Sequence, residues 1–483
     1  MLSDKNKIDQ FILNNYNKKV VVVQGLGFVG AVMSLVCANS LTEDYAVIGV
    51  DLPNEESIKK INKINSGIFP LESSDPKIDE FFQKSIIKQN FLATYDEYAY
   101  SKANVIIVDI NLDVKKKSSN DGDLISYDVD LNPFEKAIKS IALNCKEEVL
   151  ILVETTVPPG TCKKVVYPII KNTFKDRKLN FDKVSIGHSY ERVMPGPNYI
   201  DSIQNFYRVF SGIDEKSSLA TEKFLKTIIK TDQYPLTKLH STTSTEMAKV
   251  LENSFRAMNI AFVVEWTRFA EEAGVNFYQI IDAIRMRPTH KNIMYPGIGV
   301  GGYCLTKDPL LASWSRKELF NGLDILSQSE EGVKINDKMP IYAFNFFKNQ
   351  VKILDYKINN IALFGVSYRG DVGDTRFSPV ELFYNHLLKL SNKIYLTDPY
   401  VNFWEETRQE VVLNYKEIFS NSFNTLIIST SHSDYRNSKE LIDLILDKDK
   451  LLIYDTVGLF NEDEINILSS KHIIKVLGRG DIN

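Results

Sequence analysis

The stretch VVVVQGLGFVGAVMSLVCA, Val20 to Ala38, leaves the chain few options. Four successive valines read as a buried strand. Gly25, Gly27 and Gly30 follow at the spacing G-x-G-x-x-G and open an apolar helical segment. A strand that turns tightly through glycines into a helix is the first unit of a doubly wound α/β sheet. Such a turn lets backbone approach a pyrophosphate, and the free N–H groups and dipole of the helix start favour an anion there. The next strand-like run, AVIGVD, ends on Asp51. A carboxylate at that place accepts from a ribose 2′-hydroxyl and repels a 2′-phosphate. No arginine follows in LPNEE (52–56), so NAD is expected rather than NADP, with Phe28 and Val29 completing the cofactor turn. The competing reading is a glycine turn that only packs helix on sheet. Cys37, among Val32, Leu35 and Val36, is expected in the core.

The same texture recurs in NVIIVDI (104–110), EVLILVET (148–155), VSIGHS (184–189) and FYRVFSG (206–212), which extend the sheet. Near His240 it changes. Residues 243–274 read as one helix of about 30 residues, with Thr243 and Glu246 spaced as a capping box and Gly274 as the stop. Its later half is apolar on most sides, which calls for burial between domains or at a subunit interface. After Gln350 the α/β rhythm returns in NIALFGVSY, KIYLTDP, TLIISTS and LLIYDTVG. The expected fold class is therefore α/β: an N-terminal Rossmann-type NAD domain over 1–215, a central all-helical domain with one long helix over 216–335, and a C-terminal Rossmann-like α/β domain over 336–483.

Charge and cysteine usage exclude several classes. The net charge is −4 over 483 residues, with no Lys/Arg block suited to nucleic acid or a membrane surface. The most polar run, KKKSSNDGD (115–123), is expected as a solvated loop. No apolar run approaches the roughly 18 residues of a membrane span, and the N-terminus lacks the apolar core of a signal peptide. Cys37, Cys145, Cys162 and Cys304 form no C-x-x-C pair, so neither a metal site nor a disulfide framework is expected and a cytoplasmic setting fits.

Several islands carry chemistry. VETTVPPGT (153–161) and HSYERVMPGP (188–197) each turn through prolines after a strand. EMAKVLEN places Lys249 and Asn253 at i, i+4 on the long helix, where a buried amine needs partners; a solvent-facing lysine is the bland alternative. Two thiols compete as nucleophile. Cys162 follows PPGT at a helix start, which would lower its pKa. Cys304 lies in YPGIGVGGYCLTKDP (295–309), where glycines give a substrate close access to backbone. A thiol serves a dehydrogenase when it captures an aldehyde as a thiohemiacetal, which can give a second hydride and leave a thioester for water. From the residues alone, a quiet structural thiol stays equally open.

GLGFVG, ETTVPPGT, ERVMPG, EMAKVLEN, GVGGYCLTKDP and YRGDVGDTRFSP, in this order from about Val20 to Val476, resemble the UDP-glucose/GDP-mannose dehydrogenase family of NAD-dependent nucleotide-sugar 6-dehydrogenases. The resemblance implies that Cys304 is the nucleophile and Asp308 its neighbouring acid/base or water-orienting group. It gives Lys249 and Asn253 the developing oxyanion, Thr156 the positioning of a catalytic water, and Glu191 the activation of water for thioester hydrolysis. It makes Lys307 and Arg376 cofactor contacts and places Glu191, Arg192 and Arg369 at the substrate. Gly301 and Gly302, in the loop Gly297–Gly302, would wrap the sugar. The C-terminal domain would hold uridine diphosphate. The implied reaction is oxidation of sugar carbon 6 to a carboxylate with two NAD, for surface polysaccharide precursors, in a homodimer built through the central helical domain.

The form ERVMPG, with Pro195 where other branches carry a second acid, resembles the branch acting on UDP-N-acetylhexosamines. GGYC, with Tyr303, resembles the UDP-glucose enzymes and keeps UDP-glucose 6-dehydrogenase as the alternative. Asp109 and Asp113 in VDINLDVKKK replace the family's usual turn there. Arg287 and His290 compete for the arginine a partner subunit lends in the family. A two-electron 3-hydroxyacid dehydrogenase would need neither Cys304 nor a third domain. An epimerase would show a Tyr-x-x-x-Lys signature, which is not evident in the first domain, and a non-catalytic relative would be expected to have lost Cys304, Lys249 or Glu191.

Overall fold

The computed structural model describes residues 3–71, 74–190, 192, 196–391 and 393–482. Two compact units emerge: residues 1–115, 129–251 and 314–324 form the first, and 116–128, 252–313 and 325–483 the second. The division passes through the helix Thr242–Glu272, Leu251 closing one unit and Glu252 opening the other.

The strands, in chain order, are Lys19–Gln24 (β1), Tyr45–Val50 (β2), Phe91–Thr94 (β3), Val105–Val108 (β4), Val114–Ser118 (β5), Leu124–Val129 (β6), Leu150–Val153 (β7), Ser185–His188 (β8), Val209–Gly212 (β9), Thr237–Lys238 (β10), Asn360–Phe364 (β11), Lys393–Thr397 (β12), Phe403–Trp404 (β13), Gln409–Glu410 (β14), Thr425–Ile428 (β15), Leu452–Asp455 (β16) and Ile473–Val476 (β17). The first unit is built on a sheet of order β10-β9-β8-β7-β4-β1-β2-β3. From β3 to β8 its neighbours run parallel, and β9 turns antiparallel to β8. Val21, Val23, Ile107 and Leu152 pack one face against Val32, Leu35, Val36 and Cys37 of the helix Phe28–Ala38 and against Leu225 and Ile228. Cys37 is thus a core residue, as expected. Strands covered on both faces explain why these runs are apolar throughout rather than alternating.

The second unit holds a parallel sheet of order β12-β11-β15-β16-β17. Met339, Ala343 and Phe347 of the helix Ser327–Ile353 cover one face, and Leu441, Ile445, Ile465 and Leu468 the other. The chain leaves β11 for β12 on one side and for β15 on the other, so a switch point opens beyond the carboxyl ends of β11 and β15.

Three local expectations change. The long helix spans 31 residues and ends at Gly274, whose φ of +70° suits glycine. Its start is not the Thr243/Glu246 box. Ser241 caps it, accepting from the Ser244 N–H at 3.2 Å, because Glu246 is drawn to a turn 86 residues away. The apolar later half is only partly covered: Val263, Val264 and Ala270 are buried, while Phe255, Phe262, Trp266 and Phe269 are about half exposed. KKKSSNDGD is only partly loop, since Lys115–Ser118 belong to β5 and pair with β6 across a turn in which Gly122 has φ +79°.

Candidate functional site

In the first unit the cofactor turn is built by close approach. Gly25 has φ +97°, and a Cβ on it would lie 2.3 Å from the Asp109 carbonyl oxygen; one on Gly30 would lie 1.9 Å from the Gly25 oxygen. Gly27 is different: nothing lies within 4 Å of the place its Cβ would take, at the head of the helix Phe28–Ala38. That is the cradle a pyrophosphate requires. Asp51 accepts from the Leu26 and Leu52 N–H groups at 3.2 and 2.8 Å, which holds its carboxylate at the end of β2 beside the turn. Phe28 is exposed and accepts the Tyr199 hydroxyl at its carbonyl, with Val29 half-buried next to it. The residues therefore fit an NAD whose ribose is read by Asp51. Asp109 lies against the glycines, whereas Asp113 is exposed.

The same unit holds a polar cluster. Glu246, on the long helix, accepts from the N–H groups of Gly160 at 2.5 Å and Cys162 at 2.7 Å, tying the PPGT turn to that helix. Burial pushes its carboxyl up to about 7. One turn further on, Lys249 is 7% exposed with its ammonium 5.4 Å from the Tyr190 ring centre. Thr156 is half-buried at the head of the PPGT turn, while Thr155 beside it bonds Val108 and Ile110 across to the loop after β4. Glu154 and Arg208 form a fully buried ion pair, and His188, bonded to Thr245 at 2.7 Å, is pushed down to about 3 by burial and then by Arg208 and Lys249, so it is neutral. Arg192 donates to the Tyr207 carbonyl at 2.9 Å. Glu191 lies outside the described residues.

Cys162 is excluded as the nucleophile. It is fully buried in a π-type turn, and burial followed by the neighbouring Glu246 pushes its thiol well up rather than down.

In the second unit, Asn253, Lys307 and Asp308 come together. The Asp308 carboxylate, fully buried, accepts from the Asn253 amide at 2.6 Å and pairs with the Lys307 ammonium at 2.7 Å. The Lys307 and Asp308 N–H groups both donate to the Cys304 carbonyl, closing a turn that joins the thiol-bearing residue to this pair, while Cys304 itself is exposed. Gly301 and Gly302 run against Tyr368: added Cβ atoms would lie 2.6 and 2.7 Å from its side chain. Lys307 also lies 4.6 Å from the Tyr303 ring centre. Arg376 is held by Asp374 through two bonds of 2.9 and 2.7 Å, and Arg369 is exposed. A cavity of about 180 Å³ sits at the switch point, lined by Gly297–Gly299, Ser367–Gly370 and Ser429–Ser431 among others. Arg287 and His290 are both exposed. The described residues contain no cluster of metal-ligating side chains and no helix long and apolar enough to cross a membrane.

Residues 18–230 match the NAD binding domain of the UDP-glucose/GDP-mannose dehydrogenase family, 243–338 its central domain and 362–462 its UDP binding domain. The chain belongs to this family. It is an NAD-dependent nucleotide-sugar dehydrogenase. Similar relatives include the UDP-N-acetyl-D-mannosamine dehydrogenases of Pyrococcus horikoshii, 30% identical over 96% of this chain and 100% of that one, and of Methanococcus vannielii, 31% identical over 96% and 97%. A solved structure of the Pyrococcus horikoshii UDP-D-ManNAc dehydrogenase superposes with a TM-score of 0.79 at 27% identity, covering 96% of this chain and 100% of that one. The glycine turn and Asp51 thus lie within the match to the NAD binding domain, and cavity residues 367–370 and 429–431 within the match to the UDP binding domain.

Some site features were beyond the sequence reading. The role of Glu246, the ion pair of Glu154 with Arg208, and Tyr368 as the backing of the glycine loop all depend on contacts between distant segments. The one local signal was Asp398, an acid ending a strand-like run as Asp51 does, in KIYLTDP.

Proposed function

We propose that this enzyme oxidises carbon 6 of a UDP-N-acetylhexosamine, of the N-acetylmannosamine class, to the uronic acid through a covalent intermediate on Cys304. The observation that carries the proposal is an exposed thiol at the end of a glycine loop, joined by a turn to the buried Asn253–Asp308–Lys307 cluster. Bound NAD supplies the hydride acceptor, and two equivalents are needed. Gly301, Gly302 and Arg369 hold the nucleotide sugar, while Lys307 and Arg376 contact the cofactor. Lys249 and Asn253 hold the carbon 6 oxygen as it loses its proton and stabilise negative charge developing there. With its first hydride also given up, carbon 6 is an aldehyde, and the Cys304 thiol adds to it, forming a C–S bond and passing its proton to the oxygen to give a thiohemiacetal. Loss of the second hydride leaves a thioester. Glu191, with Arg192 beside it, takes a proton from water placed by Thr156, with Asp308 as the nearby acid/base. Attack of that water breaks the C–S bond, giving the carboxylate and the free thiol.

The acetamido sugar is supported by the relatives' substrates and by the ERVMPG form. UDP-glucose stands second, on Tyr303 in GGYC. The product is a surface polysaccharide precursor, and four free cysteines fit a cytoplasmic setting. A homodimer through the central helices is supported by the exposed Phe262, Trp266 and Phe269, whose rings contact one another.

The test is incubation with NAD and a panel of UDP-sugars. UDP-N-acetylmannosamine should release two NADH per sugar, and one NADH per sugar would overturn the two-step scheme. Light scattering should give twice the 55.1 kDa chain mass.

A further inference from the structure

The loops around the switch-point cavity are held by two buried side chains that line no part of it. The Asp398 carboxylate, following β12, accepts from the N–H groups of Val366 at 2.9 Å and Ser367 at 3.1 Å on one oxygen and of Tyr400 at 3.0 Å on the other. His432, after β15, is fully buried. Its Nδ1 accepts from the Asp371 N–H at 3.0 Å, so the proton resides on Nε2, which donates to Asp398 at 3.1 Å. Asp371, at φ +63°, closes the circuit by accepting from the Ser433 N–H at 2.8 Å. Thr430 donates to the Ser367 carbonyl at 2.8 Å. One carboxylate and one imidazole thereby fix the chain at 366–371, at 398–400 and at 430–433, after three different strands. The first and third of these carry Ser367, Arg369, Gly370, Thr430 and Ser431, which line the cavity.

We infer that His432, through Asp398, is a positioning residue for the nucleotide half of the substrate: the pair holds the cavity loops in the conformation that binds the uridine diphosphate. The inference rests on reading the cavity as the nucleotide site. The geometry has no slack to substitute for the pair. A Cβ on Gly365 would lie 2.3 Å from the Thr430 Cβ, and one on Gly370 2.2 Å from the Ser431 carbonyl oxygen, so the two cavity loops touch backbone to backbone and a shift in one displaces the other.

The experiment uses the full-length enzyme and UDP alone as the probe in titration calorimetry, together with the KM values for UDP-sugar and for NAD. His432→Ala leaves the Asp371 N–H and the Asp398 oxygen without their imidazole. The expected result is about a ten-fold or greater rise in the UDP dissociation constant and in the UDP-sugar KM, with the NAD KM unchanged and kcat within about three-fold. His432→Asn keeps an acceptor near Nδ1 and His432→Gln keeps a donor near Nε2, so each should recover part of the loss. These two keep the test decisive should the alanine variant not fold. Wild-type UDP affinity in all variants that fold overturns the inference, as does an equal rise in both KM values, which would mean general loosening. A wild-type enzyme that does not bind UDP overturns the nucleotide reading and the inference with it, an outcome distinct from a wild type that binds and variants that are unaffected.

Discussion

Each of the two large sheets is served by a buried carboxylate that collects backbone N–H groups, and the two carboxylates are shifted in opposite directions. Glu246 in the first unit receives two N–H groups, and burial, outweighing them, holds it up at about 7. Asp398 in the second is just as buried, which alone would raise it. The hydrogen bond from His432, with N–H groups from Tyr400 and Val366, outweighs the burial and holds it below the usual 3.8. What decides the direction of the shift at a buried acid is therefore how many donors it collects rather than its depth alone. Asp398 is a clamp shifted toward its charged form, and Glu246 is one shifted toward its neutral form.

Four outcomes would break or sharpen this contrast. The largest concerns the proposed nucleophile, which lies in the second unit. Cys304→Ala should lower formation of the acid product by about a thousand-fold or more while NAD binding to the glycine turn persists; retention of acid formation in a coupled assay would refute the covalent route. Next, Asp398→Ala strips its donors of their common acceptor and should cost about 3–5 kcal/mol by denaturant unfolding, whereas Glu246→Gln should cost about 1–2 kcal/mol. Equal losses would erase the distinction.

The third outcome is the pH dependence of stability. Burial raises both Glu246 and Glu271 from 4.5 to about 7, so between these values the folded chain binds more protons than the unfolded one. Their contribution is full below about pH 4.5 and is lost as pH rises through 7. Asp398 has the opposite sign, contributing above 3.8 and losing that contribution as pH falls through its lower folded value. Calorimetric Tm measured against pH should fall less steeply between pH 4.5 and 7 in the Glu246→Gln/Glu271→Gln variant than in the wild type.

The smallest structural effect should come from Gly27→Ala, because the added methyl meets no protein atom. Its Tm should be unchanged while the NAD KM rises about ten-fold, since the space belongs to the pyrophosphate. Gly30→Ala, 1.9 Å from a carbonyl oxygen, should instead lower the Tm.

The local pattern was a good guide wherever a residue's partners lie close in sequence. The valines of β1, the glycines after it and Asp51 are legible because strand, turn and strand-end acid lie within about thirty residues. The runs that became β11, β12, β15 and β16 are legible for the same reason. β3 and β17, each at an edge of its sheet, escaped. Glu246 was misassigned for the opposite reason: its spacing from Thr243 imitates a cap, but its bonds reach Gly160 and Cys162. Cys162 followed the same rule, since a helix start suggests a reactive thiol and only the surrounding core shows that this one is sealed.

By itself, then, the sequence determined the α/β class and the cofactor turn, which rest on short-range steric and periodic rules, and the order of its motifs pointed to the family. Only the tertiary structure decided which acids are clamps, which thiol is inert and how His432 and Asp398 hold the cavity loops. Burial and hydrogen bonding between segments tens of residues apart set those properties, and neither exists until the sheets have assembled.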